Sequence, residues 1–365
     1  MIGWLLLVNA GAFECELGFA DGDRRPPPEE SGGVERPLIY GTLDTEDLVL
    51  ARLQGDRLGD GFDHDDLEQL VYEVVRGRGG SYDFVLVTHS DAFPAQFDHA
   101  LAFHLAFNAA GLDGTGRWPA LTPDIGVRSV IWMNGVGVVH PYGEVYHRWV
   151  FAHELGHAWL SYAWLDLGDG PEDTLLGRQR AHWSFFLNTP NSPMEGNAWI
   201  DHGDGTFSVD VEAPSRFSTL DLYMMGLAEP EEVEPTFFIE VEGESLYERE
   251  SSPMHKRLGD PEPAVVEGRR VDVSLDDIVA VIGERPPEAT AGSRELTLLT
   301  VFVAAPDERI STADLAQARA NQALWAEAWG EHTQERSAVS FGVADEGWTL
   351  PALPRAPLLV PRGAR

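Results

Sequence analysis

His153-Glu154-Leu155-Gly156-His157, set in the apolar run from Val150 to Leu160, decides how this chain is read. On a helix, residues i and i+4 project from one face, a single turn apart. Two imidazoles at that spacing can grip one metal ion, and Glu154 between them is placed to take a proton from a water at that ion. The flanks Val150-Phe151-Ala152 and Ala158-Trp159-Leu160 are helix-compatible and apolar, as a buried metal-bearing helix requires. Gly156 is about 1 kcal/mol worse than Ala in a helix interior, so its presence predicts close packing beside the site. The competing reading is a helix face carrying two structural histidines.

The 365 residues allow one large domain or two ordinary ones, and 43% hydrophobic content suffices for a substantial core. With 26 basic against 60 acidic residues, the net charge of −34 excludes a nucleic-acid binder, which needs basic stripes over phosphates. It equally disfavours docking on anionic lipid. No stretch has the ~18 apolar residues of a membrane span. Cys15 is the only cysteine, which removes intramolecular disulfides and cysteine-rich zinc sites. Ile2 to Val8 followed by Ala10, Gly11 and Ala12 reads either as the end of a signal peptide or as a buried strand. The first reading gives an expectation of a secreted, extracellular or periplasmic protein.

Periodicity divides the chain into three parts. Residues 1–37 are an N-terminal segment and linker, with Pro26-Pro27-Pro28 and Gly32-Gly33 leaving no core face. Residues 38–234 form the expected catalytic domain. It opens with a helix near 64–76 capped at Asp66, then strands over 82–88 and 99–107. Two short apolar runs between Val127 and Val139 are broken at the hairpin signal Asn134-Gly135. The motif helix is expected from about 145 to 165, stopped by Gly168-Asp169-Gly170-Pro171. A hairpin over 199–209 and a short helix from Ser218 to Leu227 follow. Residues 235–365 read as a C-terminal α/β subdomain and tail, with strands 237–241 and 296–303 and a helix from Thr312 to His332.

A catalytic zinc needs a third protein ligand and an open position. The short pattern H-E-x-x-H-x-x-G-x-x-H fails, since Leu160 and Ala163 stand where its glycine and third histidine belong. The candidates are His182, Glu195 and Asp221. His182-Trp183 follows His157 after 24 residues, and Met194 lies twelve positions further on. Here the chain resembles the leishmanolysin-type metzincins, which carry an insertion before the third histidine. The resemblance runs from His153 to Asn197 and implies zinc ligands His153, His157 and His182, general base Glu154, and Met194 as the turn beneath the metal. Extended to Ser218-x-x-Asp221-x-Tyr223-x-Met225-Gly226, the segment is also similar to uncharacterised bacterial metallopeptidase-like proteins. Thr219-x-Asp221 resembles the aspzincin element whose aspartate is the third ligand. The plainer reading makes Ser218-x-x-Asp221 a capping box. Glu195 would be a gluzincin-style ligand.

Tyr223 is a candidate oxyanion donor or a core tyrosine. Asp201, Asp204 and Gly205 could hold calcium, or simply close a tight hairpin. The expectation is an α+β, zincin-like, specifically metzincin-like fold: a twisted mixed sheet, an edge strand over the cleft, and the H-E-x-x-H helix. Its expected activity is zinc-dependent endopeptidase, with peptide or protein as substrate. The alternatives are a peptidase-like binding module without activity, and a zinc hydrolase acting on other bonds.

Overall fold

The computed structural model describes residues 39–44, 47–53, 62–78, 82–91, 93, 102–106, 127–137, 143–168, 170–243, 265–284, 294–306 and 308–342. The expected N-terminal segment and linker, 1–37, lie outside them. The first elements are β1 (Ile39–Asp44), β2 (Leu48–Leu53), α1 (His64–Arg78), β3 (Phe84–His89), β4 (Phe103–Ala106), β5 (Ser129–Gly135) and α2 (Glu144–Gly156). Next come β6 (Leu165–Asp166), β7 (Pro171–Glu172), β8 (Trp183–Asn188), β9 (Glu195–Asn197), β10 (Trp199–Asp201), β11 (Thr206–Val209) and α3 (Thr219–Met224). The remainder are β12 (Thr236–Glu240), β13 (Val265–Glu267), β14 (Arg269–Val273), α4 (Leu275–Ile282), β15 (Arg294–Ala304), α5 (Thr312–His332) and β16 (Ser337–Phe341). The fold is mixed α+β with several sheets.

The main sheet has seven strands in the order β1-β2-β15-β3-β5-β4, with β16 also on β15. Strands β2, β15, β16, β3 and β5 run parallel, while β1 and β4 are antiparallel edges. Parallel strands are stable only with both faces covered, and the alternation along these strands supplies two apolar faces. Phe84, Leu86, Ile131, Met133 and Leu298 face the core that contains α2 and α5. Val85, Val87, Val130, Trp132 and Val301 face the core that contains α1. Residues on both sides of position 235 build the same sheets: β15 lies between β2 and β3, and β12 pairs with β8.

Helix α2 is buried from Trp149 through Gly156, as an internal helix must be to carry apolar residues on most sides. Phe151 stacks on Trp325 of α5 at 5.5 Å, and Arg148 reaches Glu327 and Glu331 of α5 at 3.0 and 2.5 Å.

Three local expectations are corrected. Helix α2 stops at Gly156 rather than near 165, because the N–H groups of Ala158 and Trp159 bond to the carbonyls of Leu155 and Gly156, an i→i+3 tightening that ends the helix. Buried Leu160, Ala163 and Leu165 then continue the apolar pattern in a turn. Gly168 and Gly170 belong to the β6–β7 turn, where both N–H groups bond to the Asp166 carboxylate. Asn134-Gly135 ends one continuous strand, whose partners are β3 and β4, and among the described residues no strand follows it back as a hairpin. Helix α1 is capped by Asp63, with Asp66 as the reciprocal partner three residues on.

Other elements match their sequence signals. Strands β10 and β11 pair as a hairpin across Asp201–Thr206, and α5 spans Thr312–His332 behind a Ser311–Asp314 capping box. No helix among the described residues is long and apolar enough to cross a membrane.

Candidate metal centre

Helix α2 delivers His153, the residue capping its C-terminus is His157 one turn on, and the segment entering β8 delivers His182. All three are buried, at 1%, 0% and 0% exposure. The Nε2 atoms of His157 and His182 each lie 3.2 Å from Nε2 of His153. Among the described residues this is the one group of three or more His, Cys, Asp or Glu side chains whose ligand atoms converge.

The tautomers follow from the partners. His153 Nδ1 lies 2.7 Å from the Pro193 carbonyl, and His182 Nδ1 lies 2.8 Å from the Arg178 carbonyl. A carbonyl only accepts, so both Nδ1 atoms donate and, in the neutral rings, both Nε2 atoms carry lone pairs. Two lone pairs facing each other at 3.2 Å make no hydrogen bond, and a cation between them removes the repulsion. A tetrahedral ion at the zinc–imidazole distance of about 2.0–2.1 Å holds its nitrogens about 3.3–3.4 Å apart, close to the spacing here. The donor set and its backbone-anchored imidazoles therefore fit a metal ion.

Glu154 follows His153 on the same helix and is equally buried. Gly156 is explained by what lies against it. A Cβ there would meet Met194 Sδ at 2.6 Å and the Phe217 ring at 3.3 Å. Met194 is fully buried against the helix between the two histidines, and its neighbour Pro193 supplies the carbonyl that orients His153.

The two alternative ligands have other partners. Asp221 accepts from Trp183 Nε1 at 2.7 Å and from the N–H and hydroxyl of Ser218, both at 2.8 Å. It completes the capping box of α3. Burial pushes its carboxyl up, against lowering hydrogen bonds from Trp183, Ser192 and Ser218. Asp221 thus ties α3 to the strand beside His182 and to the Met194 loop. Glu195 accepts from Arg178 at 2.5 Å and sits 4.0 Å from His182 Nε2. Tyr223 is buried in the same core as Leu220, Met194 and Trp149.

The Asp201 carboxylate takes the Gly203 N–H and faces Arg270 at 3.2 Å, while Asp204 takes the N–H and hydroxyl of Thr206. The hairpin accounts for both carboxylates without calcium.

Arg178 is the site residue that sequence reasoning missed. It opens the 3₁₀ turn Arg178–Arg180, its carbonyl orients His182, and its Nη2 comes within 3.3 Å of His182 Nε2. The available signal was its position four residues before His182, the spacing that lets a short turn bring both ends of Arg178 onto one imidazole. No known protein family, curated protein or solved structure matches the chain.

Proposed function

We propose that the chain is a zinc-dependent endopeptidase with a metzincin-like catalytic fold. The observation that carries the reading is the buried convergence of His153, His157 and His182 Nε2 atoms next to a glutamate on the same helix. Those three nitrogens would hold the ion, leaving a position open for water. A zinc ion there supplies Lewis acidity, polarising a carbonyl and lowering the pKa of a coordinated water towards ~7. Glu154 accepts the proton of the attacking water and returns it to the leaving amine. Met194 closes the floor under α2, and the carbonyls of Pro193 and Arg178 keep the Nε2 lone pairs of His153 and His182 turned inward. The antiparallel edge strand β4, next to the strand that precedes α2, supports a cleft in which an extended peptide adds to the sheet.

Metal analysis and a digest of a broad peptide library test this together. The native chain is expected to carry one zinc and to lose cleavage on chelation. Glu154→Gln lowers kcat by about 10²–10⁴-fold with zinc retained, whereas His182→Ala loses the metal. Full activity in Glu154→Gln would refute the mechanism.

A further inference from the structure

We propose that Arg178 receives the negative charge developing on the scissile carbonyl oxygen, and that Glu195 is the residue positioning it. This rests on the hydrolytic reading of the histidine cluster. Arg178 Nη2 approaches His182 Nε2 as a donor at 3.3 Å, which puts the guanidinium against one member of the histidine cluster. Both ends of the residue are fixed: its carbonyl accepts from His182 Nδ1 at 2.8 Å, and Glu195 Oε1 holds Nη2 at 2.5 Å. The Arg178 side chain is 18% exposed and that of Glu195 only 2%, so a substrate can approach the guanidinium but not the carboxylate behind it.

Glu195 stands at φ 79°, a left-handed conformation that a side-chain-bearing residue adopts against a steric penalty. Glycine would sit there without strain. A strained glutamate with its carboxylate buried on Arg178 is a poor stability device, because desolvating an ion pair offsets its attraction. As an orienting device it is apt. The planar fork of Arg is a charge-assisted donor that needs no reorganisation, and such donors act most strongly on charge that appears in the transition state. The chemistry balances without further reagents. The water oxygen bonds to the carbonyl carbon, Glu154 carries the proton to the amine as the C–N bond breaks, and Arg178 keeps its protons throughout.

The test compares native chain, Arg178→Ala, Arg178→Lys and Glu195→Gly, each assayed for zinc content, kcat, KM and affinity for a phosphinic peptide, whose tetrahedral anion mimics the transition state. Arg178→Ala is expected to keep its zinc and KM but lose kcat by about 10²–10³-fold, with a parallel loss of phosphinic affinity. Arg178→Lys should restore part of both. Glu195→Gly, which relieves the strained φ but leaves the guanidinium unpaired, should lose kcat with its zinc retained. Three results would each overturn the proposal: unchanged kcat and phosphinic affinity in Arg178→Ala, loss of zinc in that variant, or a KM rise confined to peptides bearing a carboxylate near the scissile bond. If the native chain neither cuts peptides nor binds the phosphinic peptide, the hydrolytic reading itself fails. Native cleavage with an unaffected Arg178→Ala removes only the inference about Arg178.

Discussion

Gly156 lacks a side chain because Met194 and Phe217 fill the space one would need. Two effects oppose each other in Gly156→Ala. Helix propensity favours alanine by about 1 kcal/mol. Overpacking a closed core disfavours it by about 1–3 kcal/mol. Met194 is fully buried and Phe217 stands beside it, so the sulfur has little room to retreat and the steric effect wins. Gly156→Ala should therefore lower the urea midpoint, and adding Met194→Ala should cost less than the two single changes summed. An alanine variant more stable than the native chain would show that the site relaxes. The sequence exposed this residue, because an expensive glycine beside metal-ligand spacing asks for an explanation. It hid Arg178, whose partners His182 and Glu195 are joined only by the turn and by the backbone at φ 79°.

At the scale of elements, Asp221 shows how a candidate ligand becomes a brace. Its carboxylate caps α3, holds the Trp183 indole beside His182, and so keeps the third imidazole in register with α2. Asp221→Asn retains one acceptor oxygen but cannot accept from both Ser218 and Trp183. The expected result is a loss of about 1–3 kcal/mol in chemical denaturation, with the metal content of the native chain unchanged. Loss of the metal instead would return Asp221 to the ligand set. Capping boxes such as Ser218–Asp221 and Ser311–Asp314 were legible because both partners lie within one turn. The end of α2 was not. Leu160, Ala163 and Leu165 prolong an apolar pattern that serves a buried turn as well as a helix. Asn134-Gly135, read as a hairpin signal, instead ends a strand, with Asn134 at φ 56°. The strand it ends chooses partners at 84–89 and 103–106, which no local signal names.

For the molecule as a whole, the expected division at 235 rested on local sequence character, which carries no record of which strands pair. Strand β15 sets Thr300 against Leu48 and Leu298 against Phe84, so the centre of the main sheet joins distant parts of the chain. Helix α5 likewise braces α2, and its last residue, His332, is buried near Phe217. Burial pushes the His332 imidazole down to about 4 from its ordinary 6.5, against smaller raising effects from the Ser215 backbone and Glu331. The unfolded chain then holds the extra proton between these values, so stability is complete above about pH 6.5 and falls as pH drops towards about 4. The loss is at most about 3 kcal/mol. His89, also lowered by burial, adds to it with the same sign. Urea midpoints at pH 7.5 and 5 should diverge in the native chain and converge in part for His332→Leu; an unchanged gap would clear His332. The late arrival of β15 and α5 also bears on synthesis. While a ribosome is still making the first 290 residues, the three histidines are already present but the sheet centre and the brace behind α2 are not. Pairings across such long separations form slowly. The histidine cluster therefore takes its braced position only once β15 and α5 have left the ribosome.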